Sequence, residues 1–213
     1  MTSVHVGEPR AGHADLPLPS LPPLRLMTPS ETALLDAAAA HASCVIEFGA
    51  GDSTLRLCAL RAGSIFTVES DPAWAASVAS HPLAAAAIAA ARLRIREVDI
   101  GPTGDWGYPT DASRRAAWPG YWMAPWQALP ASAPDLVIVD GRFRVACVLQ
   151  ALLAGVDGLT VFVHDFERTA YHAVLPHVAQ VGTADRARIF VRAPGFDRAA
   201  AERDLAACAF DPR

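Results

Sequence analysis

The stretch that most constrains this chain is Cys44-Val45-Ile46-Glu47-Phe48-Gly49-Ala50-Gly51-Asp52-Ser53-Thr54. A short apolar, β-branched run with no breaker reads as a buried parallel strand. Two glycines one residue apart follow it, and they let a ligand approach bare backbone. Asp52, Ser53 and Thr54 then start a helix, whose first N–H groups and positive dipole end face the same point. A strand, a tight turn and a helix start in this order belong to a nucleotide-type site at the edge of an α/β sheet.

The rest of the chain repeats that alternation. Helical patterns run over Thr28 to His41, Ser53 to Ala62, Asp71 onward with a break near His81-Pro82, Arg142 to Leu153, Thr169 to Gln180 and Asp197 to Cys208. Between them lie strand patterns at Cys44 to Phe48, Ser64 to Glu69, Leu93 to Val98, Asp135 to Val139 and Leu159 to Val163. Val178 to Thr183 and Ala187 to Arg192 read as a closing antiparallel pair around Asp185-Arg186. This order predicts an α/β fold with a doubly wound, mostly parallel, Rossmann-like sheet and a C-terminal antiparallel strand pair. Residues 1–26, with Pro9, Pro17, Pro19, Pro22 and Pro23, read as a proline-rich arm. Residues 27–213 read as one domain. It is interrupted at 101–134 by an aromatic-rich insertion that holds Trp106, Trp118, Trp122 and Trp126, four of the five tryptophans. A segment that long and aromatic is expected to be ordered, either as a lid or acceptor platform or as a flap packed on the body or on a second subunit.

Composition narrows the partners. The net charge is −4 and the pI near 5.9, so no global basic field recruits nucleic acid or an anionic membrane. All eighteen basic residues are arginine, and the chain has neither lysine nor asparagine. Cys44, Cys58, Cys147 and Cys208 show no CxxC spacing and read as reduced thiols, which suits a cytoplasmic protein. No signal-peptide pattern opens the sequence. A homo-oligomer is left open.

The five parallel strand patterns each end in an ionisable residue: Glu47, Glu69, Asp99, Asp140 and His164-Asp165. In an open parallel sheet these ends form one rim, where ligands bind. A dinucleotide pyrophosphate suits that rim poorly, because it is acidic and Thr54 stands where the third fingerprint glycine belongs. A cationic, phosphate-free nucleoside suits it better.

The ordered set Glu47-Phe48-Gly49-Ala50-Gly51, Glu69, Asp99 and Asp135-Leu136-Val137-Ile138-Val139-Asp140-Gly141 resembles the motifs of class I S-adenosylmethionine-dependent methyltransferases over about residues 30–192. The resemblance implies S-adenosylmethionine as cofactor. It implies that Gly49 and Gly51 make room for the methionine part, that Glu47 orders the loop and meets the ammonium group through water, and that Asp52 and Ser53 also bind the cofactor. Glu69 would accept the ribose hydroxyls, and Asp99, Ile100 and Ser70 would lie near the nucleoside. Candidate catalytic residues are His164, as base, with Asp140 and Asp165. Trp106, Tyr108 and Arg142 are candidate acceptor-binding residues, Arg142 for a carboxylate or phosphate. No metal is expected, since metal-dependent relatives use an Asp/Asp/Asn set and this chain has no asparagine. The expected activity is O-methylation of a small-molecule or sugar hydroxyl. The competing reading is a cofactor-binding domain without catalysis that acts as an interaction module.

Overall fold

The computed structural model describes residues 21–60, 62–129 and 134–213. Most of the expected proline-rich arm, residues 1–20, lies outside these, as do 130–133 of the insertion. Seven strands form one sheet in the order β3-β2-β1-β4-β5-β7-β6. They are β1 Cys44–Phe48, β2 Ser64–Glu69, β3 Leu93–Glu97, β4 Leu136–Val139, β5 Thr160–Val163, β6 Val178–Ala184 and β7 Ala187–Arg192. β1 to β5 are mutually parallel, and β7 joins β5 antiparallel and turns back into β6. The fold is therefore the expected Rossmann-like α/β sheet with an antiparallel closing pair.

Alternation along the strands divides the core between the two faces. Ile46 and Phe48 point, with Val137, Val139, Val161 and Val163, to a face covered by α5 (Pro119–Ala128), α6 (Arg144–Ala154) and α7 (Arg198–Cys208). Val45, Ile65, Ile138 and Phe162 point to the other, covered by α1 (Pro29–Ala39), α2 (Asp52–Leu60) and α4 (Pro82–Ala89). Glu47 shares the second face, beneath the N-terminus of α2. Between α2 and α4, α3 (Pro72–Ser80) begins at an Asp71 cap, and His81 both ends α3 and caps α4.

Register explains why the rim residues meet. Phe48 pairs with Val68 on one side and Val139 on the other, and Val139 pairs with Val163. One step later, Gly49, Glu69, Asp140 and His164 stand in a single row. The strand order reverses between β1 and β4, so the row crosses the topological switch point, where the loops diverge and leave a crevice.

Two expectations change. The segment 169–180 is not an α-helix. A 3₁₀ run over Thr169–His177 ends near Pro176, which lacks a donor, and Val178 already pairs with Arg192 in β6. The aromatic insertion is not one flap. Its second half is α5, which buries Tyr121 and Trp122 with the preceding Trp118 in the core. The Tyr121 ring packs on Phe48 and Phe143, and the Trp118 ring on Phe143, at centroid distances of 5.5–5.8 Å. The indoles of Trp118 and Trp122 donate to Ile100 and Ala209 carbonyls.

Gly49, at φ +95°, packs so closely on β4's exit that a Cβ there would lie 2.7 Å from Gly141 Cα. A Cβ on Gly51 would meet nothing within 4 Å. Gly49→Ala is expected to cost roughly 2–4 kcal/mol in urea unfolding, from backbone strain and overpacking. Gly51→Ala is expected to change stability by less than about 1 kcal/mol. Equal stability of the two variants would contradict this account of the turn.

Candidate active site

The crevice is a cavity of about 930 Å³. Its walls include Gly49 to Ser53, Glu69 to Asp71, Trp74, Trp106 to Tyr108, Asp140 to Arg142, and His164 with Asp165. Leu24 to Met27 cross one side of its mouth.

The β1 side is built from backbone held by buried acids. Glu47 is fully buried and accepts hydroxyl donors from Ser53 at 2.6 Å, Thr54 at 2.6 Å and Thr67 at 2.8 Å. Thr54 also accepts from Gly51 N–H, so the residue that replaces the third fingerprint glycine ties the turn to the strand. Glu47 thus orders the loop from below and does not line the cavity, so it is not placed to meet an ammonium group there, whereas Ser53 does line it. Burial pushes the Glu47 carboxyl up to about 7, against the opposing pull of its three hydroxyl donors. Glu69 accepts from the N–H groups of Ala50, Ser70 and Asp71 at 2.6–3.0 Å. The Trp74 indole donates to Ala50 O, which fixes the same turn from outside. Asp52 is engaged by Arg25, whose guanidinium donates to both carboxylate oxygens at 2.9 Å. That pairing holds Asp52 below its usual pKa and pins the segment at the mouth.

The β4–β5 side is a knot of buried charge. His164 Nδ1 lies 3.1 Å from Asp140 Oδ1, and its Nε2 lies 3.4 Å from Glu31 Oε2. Asp165 Oδ1 stands 3.6 Å from Nδ1. Burial alone would lower the His164 pKa, but the three carboxylates hold it above its ordinary value. For Asp140, burial is likewise outweighed by His164, Arg144 and Arg142, and its carboxyl is held low. Arg144, almost fully buried, donates to the carbonyls of Asp140, Gly141 and His164, locking the β4 and β5 exits together. Asp165 is paired with Arg186 at 2.8 Å and Arg168 at 2.9 Å. Asp140, His164 and Asp165 stand close enough to share one cation. Their carboxylates are already matched by Arg144, Arg168 and Arg186, however, so this donor set fits a divalent ion poorly.

Not every expected residue lines the cavity. Asp99 lies two residues past the end of β3, exposed and paired with Arg114. Ile100 is fully buried, with its carbonyl taken by Trp118. Trp106 stands exposed at the mouth with φ +60°, and Tyr108 stacks on the Arg142 guanidinium at 4.0 Å.

Among solved structures, a methyltransferase-like protein from Silicibacter pomeroyi DSS-3 superposes with a TM-score of 0.76 at 30% identity, covering 90% of this chain and 99% of that one. The chain belongs to the class I S-adenosylmethionine-dependent methyltransferase superfamily. An O-methyltransferase from Bacillus cereus in complex with SAH superposes at 0.53 with 14% identity, covering 80% and 84% of the two chains. A methyltransferase from Geobacter sulfurreducens does so at 0.51 with 9% identity, covering 78% and 81%. These two share the fold. No protein-family model matches the chain, and no curated protein matches it.

The methyltransferase cofactor fits the β1 side on physical grounds. The open space at Gly51 admits a ligand against backbone, and the cavity volume lies within the range of small-ligand sites. Glu31, Arg144, Arg168 and Arg186 also belong to this site, and the sequence did not mark them as such. Glu31 reads from the sequence only as an acid in the first turn of a helix, where the structure shows it completing a capping box with Thr28. The arginines carried no local signal at all. No helix among the described residues is long and apolar enough to cross a membrane.

Glu47 makes the methyltransferase fold pH-sensitive in a defined direction. Between about pH 4.5 and 7 the folded chain keeps a proton there that the unfolded chain releases, so stability falls as pH rises through that window and levels off above it. The slope integrates to on the order of 3 kcal/mol. Urea unfolding of wild type and Glu47→Gln at intervals from pH 4.5 to 8 checks this. Wild type should lose stability relative to the variant across that window, the decline that remains in the variant belonging to His164, and parallel curves would show that Glu47 does not bind the proton.

Proposed function

We propose that this chain is an S-adenosylmethionine-dependent O-methyltransferase acting on a small-molecule or sugar hydroxyl. The reading is carried by one observation: a single cavity joins the Gly49–Gly51 backbone and Glu69 on one side to the Asp140–His164 pair on the other. The cofactor supplies an electrophilic methyl group on a good leaving group. The protein then has to orient an acceptor in line, exclude water and take up a proton. Gly49 and Gly51 make room for the methionine part, and Glu69 offers its remaining lone pairs to the ribose hydroxyls. Ser70 and Trp74 line the same end.

In this reading the group that meets the acceptor is Asp140. His164 is buried with both ring nitrogens facing carboxylates, so it presents no free nitrogen. Asp140 uses Oδ1 for His164 and Arg144, and no hydrogen bond among the described residues falls on Oδ2. His164 holds that carboxylate in place and offsets its charge. Asp165 positions His164 and is itself held by Arg168 and Arg186.

Calorimetric titration with S-adenosylmethionine, S-adenosylhomocysteine and NAD tests the cofactor. Both adenosyl ligands should bind and NAD should not. Absence of binding by either adenosyl ligand refutes the proposal. Glu69→Ala should weaken S-adenosylhomocysteine by roughly 1–3 kcal/mol, the cost of unpaired buried hydroxyls.

Asp140→Asn should retain that affinity and lose transfer of labelled methyl groups to a pool of hydroxylated metabolites. Loss of cofactor affinity instead would place Asp140 on the cofactor's ammonium group and remove it as base.

A further inference from the structure

Five arginines line the cavity: Arg25, Arg142, Arg144, Arg168 and Arg186. Four of them are satisfied by the protein. Arg25 holds Asp52, Arg144 holds Asp140 and three carbonyls, and Arg168 and Arg186 both hold Asp165. Arg142 differs. It is 5% exposed, and its Nε and Nη1 have no hydrogen-bond partner. No carboxylate among the described residues reaches it within ion-pair distance, although Asp140 is near enough to feel its charge. One face of the guanidinium is covered by Tyr108. A guanidinium never loses its proton in a protein, so burial cannot be relieved by neutralising it. An unpaired buried charge is costly, and a fold keeps one where a ligand completes it.

We infer that Arg142 is the anchor for a carboxylate group on the methyl acceptor, which makes the acceptor class a hydroxy-carboxylic acid. The inference rests on the methyl-transfer reading above, and it extends that reading from any hydroxyl to an anionic one. A single negative charge matches the single unpaired cation. A phosphate dianion would leave excess negative charge beside Asp140 and Asp165. The helix start that would ordinarily hold a phosphate is also occupied, because the N–H groups of Phe143 and Arg144 donate to the carbonyls of Pro212 and Arg213. Tyr108 stacked on the guanidinium keeps its plane fixed and shields it from water, so a carboxylate entering the cavity meets preoriented donors.

The test uses paired probes that differ only in charge: 4-hydroxybenzoate against 4-hydroxybenzamide, and glucuronate against glucose. Binding to the full chain is read by saturation-transfer NMR, with and without saturating S-adenosylhomocysteine. At least one carboxylate should bind about tenfold or more tightly than its neutral partner, and tighter than inorganic phosphate. In Arg142→Met that preference should collapse to within about twofold, while the affinity for S-adenosylhomocysteine changes by less than about threefold. The melting temperature of the probe-free variant should hold or rise, since an unpaired buried cation has been removed. Arg142→Lys, which keeps the charge, should retain part of the preference.

The absence of any charge preference in wild type overturns the inference, as does tighter binding of phosphate. A loss of about tenfold or more in S-adenosylhomocysteine affinity in Arg142→Met also overturns it, because the guanidinium then serves the cofactor's own carboxylate. A lowered melting temperature with the preference intact would make Arg142 structural. If wild type shows the charge preference but binds no adenosyl ligand, the methyl-transfer reading fails and the anion site stands.

Discussion

The close approach of two backbones, at Gly49 and Gly141, is the constraint on which this molecule depends. A Cβ on either glycine would fall within 3 Å of the other's backbone, and one on Gly141 would also strike the Tyr121 hydroxyl. The two loops that leave β1 and β4 therefore start in contact and can only diverge. Divergence at a switch point opens a crevice whose floor is peptide and not side chain. The row of Gly49, Glu69, Asp140 and His164 follows from strand register alone, so the floor and its four functional positions are one geometric event.

Charge is distributed across that floor in two different ways. On the β1 side the acids are spent on holding backbone: Glu47 gathers three hydroxyls, and Glu69 gathers three amides. The result is a rigid turn whose own polar groups are satisfied before any ligand arrives. On the β4–β5 side the acids face guanidiniums. Asp140, Asp165 and Glu31 surround His164, and Arg144 and Arg186 close the knot. A buried network of this kind gains little net stability, because desolvation consumes most of the Coulombic attraction. Its effect is to fix where each charge stands, and that is what an acceptor site requires.

The difference explains what could be read from the sequence. The strand patterns and the glycine turn are local, so the sheet, the switch point and the row of rim residues were all legible. Asp99 read like the other strand-end acids, but the row passes at the level of Glu97, and two further residues carry Asp99 out to Arg114. Helix α5 was hidden because Pro119, Gly120 and Pro125 erase its helical signature, although a proline in the first turn does no harm there. Of the two expectations for the insertion, platform or packed segment, Trp118, Tyr121 and Trp122 meet the second: they are core. The pairs Glu31–His164 and Glu31–Arg186 span 133 and 155 positions. No local pattern records contacts at that separation, and Glu31 was visible only as a helix-capping acid.

The two halves also respond differently to change. The β1 side, made of backbone and two buried acids, can vary only where a Cβ finds open space, which among the turn glycines is Gly51. The β4–β5 side is made of side chains from separate segments, tied to one another and to the strand exits by Arg144. Arg142 follows β4 directly, so its backbone is placed by the same glycine contact that forms the floor, while its guanidinium is held by Tyr108 from the insertion. The insertion thus contributes to the core through α5 and to the cavity through Trp106, Tyr108 and Tyr121. In the proposed reading, a single rigid fold keeps its chemistry constant and lets the loop after β3 select what is brought to it.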